Sequence, residues 1–128
     1  MNHLTEIRTI GVPVTDQDRA LTFYTEILGF DLVMDAPLPQ FGGRWLVVAP
    51  GGSAAPSSAT SLALVPAKDD LPAGVDTGIR FGSPDAKAAH EHFQTAGVDT
   101  TELLEWPGVP PMFSLRDPDG NRLYVSQI

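Results

Sequence analysis

The first strongly patterned segment of the chain alternates between apolar and polar residues. Between Glu6 and Val14, the side chains of Ile10, Val12 and Val14 fall on one side of an extended chain, with small and polar residues on the other. A period of two predicts a half-buried β-strand.

A helix is predicted directly after this strand. Thr15 is a candidate N-cap, because it stands three residues before Asp18 and at the start of an apolar stripe with helical spacing. Gly29 is the candidate helix end. Three more strands are predicted over residues 30–34, 44–49 and 61–65, with the Gly- and Ser-rich residues 51–58 as a flexible loop between the last two.

The second half of the chain repeats this order. A strand over residues 78–82 leads into a helix expected to begin at Ser83-Pro84, with proline at its first position. Further strands are predicted near residues 98–104, 112–116 and 122–127. Asp16 of the first half matches Asp85 of the second, about 69 residues later.

The repeat predicts an α+β fold made of two βαβββ modules, at about 4–66 and 76–128, within a single domain of residues 1–128. Each helix would cover only one face of its sheet. The opposite faces would form a curved mixed sheet around a concave cup.

Composition narrows the range of partners. The chain has sixteen acidic and eight basic residues, a formal charge of −8, and no cysteine. The negative charge argues against nucleic acid and anionic membranes as partners, and the absence of cysteine excludes disulfides, thiolate metal sites and a cysteine nucleophile. No apolar run reaches the roughly 18 residues of a spanning helix, and the N-terminal segment does not read as a signal peptide, so a cytoplasmic protein is expected.

Three short motifs resemble the vicinal oxygen chelate superfamily, which includes glyoxalase I, extradiol dioxygenases, fosfomycin-resistance enzymes and bleomycin-binding proteins. They are Asp18-Arg19-Ala20-Leu21 with Phe23-Tyr24, Leu28-Gly29-Phe30, and Asp117-Pro118-Asp119-Gly120-Asn121. The resemblance spans nearly the whole chain and implies the glyoxalase/bleomycin resistance/dioxygenase fold. These motifs are caps, turns and core positions, so they indicate the fold and not the reaction.

The resemblance also implies four metal-ligand positions, and here they fall on Thr9, Ala63, Gly78 and Tyr124. None is His, Asp or Glu, and alanine and glycine have no side-chain donor, so no metal and no cofactor are expected. His90 and His92 lie two apart on the predicted helix and point in different directions. They are expected to be solvated rather than to bind an ion.

Strand alternation predicts the lining of the cup. The candidate ligand-binding residues are Thr9, Trp45, Ala63, Gly78, Arg80, Met112, Arg116 and Tyr124. The large amphipathic members favour a ligand with an aromatic portion, and the two arginines favour one with an anionic group. Two alternatives remain open: Arg116 pairs with Asp117 or Asp119 in the adjacent turn, or Tyr124 fills the cup by itself.

No catalytic residue can be assigned, because no nucleophile–base set, phosphate loop or facing carboxylate pair is found. The favoured function is metal-independent binding of a small molecule, as in sequestration of an antibiotic or a metabolite. The alternatives are a lyase, isomerase or dioxygenase-like enzyme with non-standard catalytic residues, and a degenerate paralogue that acts as a dimeric partner. A homodimer is expected, since members of the family usually complete their cups by pairing.

Overall fold

The computed structural model describes residues 2–51 and 60–128. Apart from Gly51, the predicted loop at 51–58 lies outside the described residues. The chain divides into two compact units, residues 1–72 and 73–128. Neither helix of the described residues is long and apolar enough to span a membrane.

The first unit has the predicted order of one strand, one helix and three strands. Its elements are β1 (Thr9–Val14), α1 (Gln17–Thr22), a π-helical turn (Phe23–Ile27), β2 (Phe30–Leu38), a short 3-10 turn (Pro39–Phe41), β3 (Gly43–Pro50) and β4 (Ser61–Pro66). The four strands form one mixed sheet in the order β1-β4-β3-β2, in which β1 and β4 are parallel and the other pairs antiparallel. The sequence placed the start of β1 three residues too early and the end of β2 four residues too early.

One face of this sheet is buried under α1. Alternate residues of the strands face the helix because successive side chains of a strand point to opposite faces. The fully or nearly fully buried side chains on this face are Val12, Val14, Leu46, Val48, Leu62 and Leu64, and Ala20 and Tyr24 are buried on the helical side. Of the predicted inward face of β1, Val12 and Val14 are buried and Ile10 is half-buried.

The helix start was predicted one residue too early. Asp16, not Thr15, is the N-cap of α1, and its carboxylate accepts a hydrogen bond of 3.0 Å from the backbone N–H of Arg19. Gly29 follows the helical segment with φ +79°, as predicted for a helix end.

Gln17 joins two strands beneath α1. Its amide donates to the carbonyls of Arg44 and Leu64, both at 2.8 Å, and accepts from the N–H of Arg44 at 3.1 Å. A side chain on Gly43 would lie 2.6 Å from the Gln17 Oε1, so glycine leaves room for this bridge. Gln17 therefore supplies hydrogen bonds at a point where β3 and β4 do not pair directly.

The second unit contains β5 (Asp76–Ser83), α2 (Ala86–Thr95), β6 (Met112–Arg116) and β7 (Arg122–Gln127), with a three-stranded sheet in the order β5-β7-β6. The bounds of β6 and β7 agree with the sequence prediction. The strand predicted near 98–104 does not form; only isolated bridges, Thr100 with Leu115 and Leu104 with Met112, join this segment to β6.

A side chain accounts for the loss of that strand. The N–H of Ser114, which would continue a ladder, donates to the Thr101 hydroxyl at 2.9 Å rather than to a backbone carbonyl. The N–H of Thr101 still donates to the Ser114 carbonyl at 2.9 Å. The segment thus follows β6 without forming a regular ladder.

Two predictions for α2 were wrong. Pro84 does not occupy the first helical position, because Asp85 is the N-cap and accepts from the N–H of Ala88 at 3.0 Å. His90 is not solvated: it is 8% exposed and its Nε2 lies 2.8 Å from the carbonyl oxygen of Thr101. His92 is exposed, as expected.

The hairpin between β6 and β7 is closed by a buried polar turn. Gly120 has φ +80°, which confirms the predicted left-handed turn position. Asp117 and Asn121 are buried, and their side chains are joined by a hydrogen bond of 2.9 Å from Nδ2 to Oδ2. The Asn121 Oδ1 accepts from the N–H groups of Gly74 and Val75, so the turn also holds the segment that leads into β5.

Candidate functional site

A cavity of about 460 Å³ lies within the second unit. Register places Arg80 beside Tyr124, and Ser114 on the other side of the same tyrosine, so all three side chains share the sheet face that α2 does not cover. All three line the cavity, with Met112 and Ser126 from the next row. The segment before β6 contributes Thr101, Glu102 and Leu104. This volume is within the range of small-molecule sites in proteins.

The Arg80 guanidinium lies over the ring of Tyr124. The guanidinium carbon is 4.4 Å from the ring centroid, and Nη1 donates to the carbonyl of Gly78 at 3.2 Å. Within residues 2–51 and 60–128, no carboxylate lies within 4.0 Å of Arg80 to form an ion pair. The stacked ring holds the cation by its π-electrons while leaving N–H donors of the guanidinium available at the cavity.

A carboxylate meets the other end of the same tyrosine. The Tyr124 hydroxyl donates to Oδ2 of Asp76 at 2.6 Å, and the N–H of Gly78 donates to Oδ1 at 3.1 Å. The hydrogen bond from Tyr124 is the main reason that the pKa of Asp76 is lowered, with smaller contributions from Gly78 and from the positive charges of Arg122 and Arg80. Asp76 is therefore a carboxylate at neutral pH, and the hydroxyl proton of Tyr124 points towards it.

The cavity wall is tied to α2 through Thr101. His90 approaches the Thr101 carbonyl from the helix, and its ring contacts the ring of Phe113 edge to face at 4.9 Å between centroids. A carbonyl oxygen can only accept, so the His90 Nε2 carries a proton in this arrangement. The buried His90 thus positions Thr101, which borders the cavity beside Ser114.

The structure brings together three of the predicted site residues, Arg80, Met112 and Tyr124, around this cavity. Gly78 adjoins them at φ +69°, where its backbone holds both Asp76 and Arg80. A cavity remains beside Tyr124, so this residue does not fill the space around it.

Arg116 lies outside the cavity lining. Its Nη1 donates to the carbonyl of Gly120 at 3.0 Å, and its Nε is 3.9 Å from a carboxylate oxygen of Asp99. Arg116 therefore has a structural partner, but the aspartate is Asp99 and not Asp117 or Asp119 as the alternative expected.

The remaining predicted residues belong to the first unit. The hydroxyls of Thr9 and Ser61 are 2.9 Å apart. Trp45 is half-buried and packs against the buried cluster of Val47, Ala63 and Val65. Their part in ligand binding stays a prediction.

Asp76 and the segment 101–104 were missed by the sequence. Asp76 could have been found from its spacing, because it is two residues before Gly78 and four before Arg80 and therefore shares their side of an extended strand. Thr101 and Leu104 carried no such signal, since they belong to the segment that failed to form a strand.

The four positions expected for metal ligands do not fit a divalent ion. Ala63 and Gly78 have no side-chain donor, the Thr9 hydroxyl is engaged within its own sheet, and the Tyr124 hydroxyl is engaged with Asp76. Among the residues that the structure describes, no three or more His, Cys, Asp or Glu side chains are grouped so as to hold a metal. The residues present do not support metal-dependent chemistry at these positions.

A family model described as Glyoxalase/Bleomycin resistance protein/Dioxygenase superfamily matches residues 1–125. The chain belongs to this superfamily. Its α+β fold confirms what the three sequence motifs implied. The first unit has the full βαβββ order, whereas the second has the order βαββ because the strand predicted near 98–104 does not form. Superfamily membership fixes the fold, while the reaction or ligand depends on the side chains of the site.

Relatives of known structure share most of this chain. It is similar to TnmS3, an antibiotic binding protein from Streptomyces sp. CB03234, with 33% identity, coverage of 99% of this chain and 98% of that chain, and a TM-score of 0.84. It is also similar to a superfamily member from Sphaerobacter thermophilus DSM 20745, with 28% identity, 98% coverage of both chains and a TM-score of 0.83. The uncharacterized protein YetH of Bacillus subtilis (strain 168) is 31% identical over 120 residues, which are 91% of this chain and 92% of that protein.

Proposed function

We propose that this superfamily member binds a small molecule without a metal ion, in the cavity of the second unit, and holds an anionic group of that molecule at Arg80. The observation that carries the proposal is the Arg80 guanidinium, which borders a cavity of about 460 Å³ and is stacked on a tyrosine rather than paired with a carboxylate. Cytoplasmic sequestration of an antibiotic or a metabolite is the corresponding role.

The net negative charge of the chain strengthens the argument that Arg80 binds an anion. The chain has a formal net charge of −8 and only eight basic residues, so most of its surface is expected to be acidic. An arginine that lines a cavity in such a protein attracts an anion there while the rest of the surface repels it. Arginine also forms forked hydrogen bonds with carboxylates and similar groups.

The rest of the lining supports an aromatic portion in the ligand. Met112 offers a polarizable apolar side chain, Leu104 is 39% exposed, and the Tyr124 ring borders the same space. Apolar and aromatic surface combined with placed polar groups is typical of sites for drug-sized molecules. The similarity to an antibiotic binding protein supports the same class of ligand.

Native mass spectrometry of the purified protein tests for a captured molecule, and binding of 2-naphthoate tests the anchor. We expect 2-naphthoate to bind the protein and to bind Arg80→Gln roughly 10-fold more weakly, because one charge-assisted hydrogen-bonded contact is lost. Arg8→Gln is the matched control, since Arg8 lies on the surface of the first unit and pairs with Glu6. Equal binding by Arg80→Gln, or no binding by the native protein, would overturn the proposal, and chemical conversion of the captured molecule would support the enzyme alternative instead.

A further inference from the structure

Tyr124 meets opposite charges at two places on one side chain. A guanidinium lies over its ring at 4.4 Å from the centroid, and a carboxylate accepts its hydroxyl proton at 2.6 Å. Both Arg80 and Tyr124 line the cavity, whereas Asp76 lies beyond its lining. Tyr124 therefore has a positive group over its ring and a carboxylate at its hydroxyl.

The hydrogen bond to Asp76 decides what the Tyr124 hydroxyl can do. A tyrosine hydroxyl has one proton to donate and lone pairs that accept. Since the proton is directed to the Asp76 carboxylate, only the lone pairs are left for a molecule in the cavity. A ligand oxygen that can only accept would be repelled there, while a ligand O–H or N–H would be bound.

We propose that the cavity selects an aromatic acid that also carries a hydrogen-bond donor, with the acid group at Arg80 and the donor, such as a phenolic hydroxyl, at the oxygen of Tyr124. Asp76 is the positioning residue: it does not touch the ligand but keeps Tyr124 in the accepting state. This inference rests on the proposed function and adds the second polar group of the ligand and its orientation.

Ser114 and Thr101 do not substitute for this acceptor. The Thr101 hydroxyl accepts from the N–H of Ser114 at 2.9 Å, and the two hydroxyls are 3.4 Å apart, so they are engaged with each other at the seam between the segment and β6. The hydroxyl of Tyr124 is instead fixed by a charged partner. Among the hydroxyls of Ser114, Thr101 and Tyr124, that of Tyr124 therefore has the most clearly fixed proton direction.

Binding of matched naphthalene probes tests the inference. The probes are 2-naphthoate, its 5-, 6- and 7-hydroxy derivatives, the corresponding methoxy derivatives, and the carboxamide of the best hydroxy isomer. We expect at least one hydroxynaphthoate to bind the native protein roughly 3- to 10-fold more tightly than 2-naphthoate, because it forms one added hydrogen bond. Its methoxy analogue should lose this gain in affinity. Its carboxamide analogue should lose the charged contact with Arg80.

Variants separate the two ends of the site. Tyr124→Phe keeps a ring beneath Arg80 but removes the hydroxyl oxygen, so its affinities for the best hydroxynaphthoate and for 2-naphthoate should be equal. Asp76→Asn should also reduce the ratio between these two affinities, whereas a purely structural role of Asp76 would change the binding of both probes alike. Arg80→Gln should weaken all carboxylate probes and spare the relative gain from the hydroxyl.

The possible failures are distinct. If no naphthoate binds the native protein, the proposed function and this inference both fall. If 2-naphthoate binds through Arg80 but every hydroxy isomer binds no better than its methoxy analogue, the inference alone is overturned. The same holds if Tyr124→Phe retains the gain from the hydroxyl.

Discussion

Asp76 and Tyr124 show how a single short hydrogen bond can govern the electrostatics of an open site. Neither residue is buried, so bulk water screens their charges and their value for stability is small. Their effect is local: the carboxylate stays ionised and the phenol proton stays on the side away from the accepting lone pairs. A measurement of the Asp76 pKa therefore tests whether the hydrogen bond from Tyr124 is present.

We expect the pKa of the Asp76 carboxyl, followed by NMR of its side-chain carboxyl carbon, to lie below the ordinary value of 3.8 in the native protein and to rise towards it in Tyr124→Phe. The reason is that the hydrogen bond from Tyr124 is the largest cause of the lowering. Arg80→Gln is the control and should raise the pKa less, because the charge of Arg80 is the smallest of the contributing causes. The lowered pKa means that the carboxylate stabilises the fold above pH 4 or so and loses this contribution as the pH falls through the folded value.

A titration that gave the same pKa in the native protein and in Tyr124→Phe would contradict the hydrogen bond. It would also remove the basis for treating the tyrosine oxygen as an acceptor.

His90 is the other residue whose chemistry the sequence misplaced. We expect His90→Ala to lower the free energy of unfolding by about 1–3 kcal/mol, because it removes a buried ring and leaves the Thr101 carbonyl without this donor. His92→Ala, on the exposed side of the same helix, should change it by less than about 0.5 kcal/mol. Urea denaturation of the two variants measures the difference, and equal effects would argue against the buried placement of His90.

At the scale of elements, the β6–β7 turn does more than reverse the chain. Asn121 is fully buried and uses its amide on both sides, donating to Asp117 and accepting from the backbone before β5. The turn therefore fixes the approach of β5, the strand that supplies Asp76 and Arg80, to the rest of its sheet. A motif that the sequence identified only as a hairpin signal also positions the site.

Replacing Asn121 tests this role. We expect Asn121→Ala to lower the free energy of unfolding by about 1–3 kcal/mol because the N–H groups of Gly74 and Val75 lose their acceptor, and Asn121→Asp to lower it more at neutral pH because a second carboxylate would be buried against Asp117. Thermal or urea unfolding gives both values. Asn2→Asp, in the exposed N-terminal segment, is the control and should be nearly neutral. If Asn121→Asp were the more stable of the two turn variants, the hydrogen-bond assignment would be wrong.

The success of the sequence prediction differed between elements for physical reasons. β6 and β7 were predicted with the right bounds because Phe113 and Leu115, and Leu123 and Val125, alternate with more polar residues, and because the turn between the strands has its own local signal. The strand at 98–104 was wrong because the Thr101 side chain, not the backbone, meets Ser114. No alternation pattern reports such a substitution.

The sequence predicted only those site residues that strand alternation places on the cavity face. Arg80 and Tyr124 were found because side-chain alternation alone places them on one face. Alternation also places Asp76 on this face, but its contact with Tyr124 could not be predicted. That contact depends on a register shift in β5, where the three residues between Asp76 and Arg80 lie opposite the single residue Leu123 of β7. The left-handed Gly78 lies in this irregular stretch.

At the scale of the whole molecule, the missing donors predict a protein without a resident metal. We expect elemental analysis of protein expressed without an affinity tag to find far less than one Zn, Ni, Mn or Fe per chain, because no side chain at Ala63 or Gly78 can bind an ion. Near-stoichiometric metal in the native protein would refute the expectation.

We also expect a homodimer. Open strand edges of two small sheets favour association with a second copy, and light scattering at micromolar concentration should report about twice the 13.7 kDa of one chain. Measurement over a range of concentrations provides the control, because a dimer dissociates on dilution whereas an incorrect mass calibration does not change. A mass near that of one chain throughout would contradict this prediction.

The parallel pairing of β1 with β4, and of β5 with β7, has a consequence for how the chain folds during its synthesis. In each unit the opening strand has its hydrogen-bonding partner in the strand that closes the unit. The ribosome synthesises the chain from its N-terminus, so about fifty further residues must emerge before β1 can pair with β4. Long-range pairing of this kind slows folding relative to hairpins and helices, and until Pro66 has left the exit tunnel the apolar residues of β1 remain exposed to chaperones and to other nascent chains.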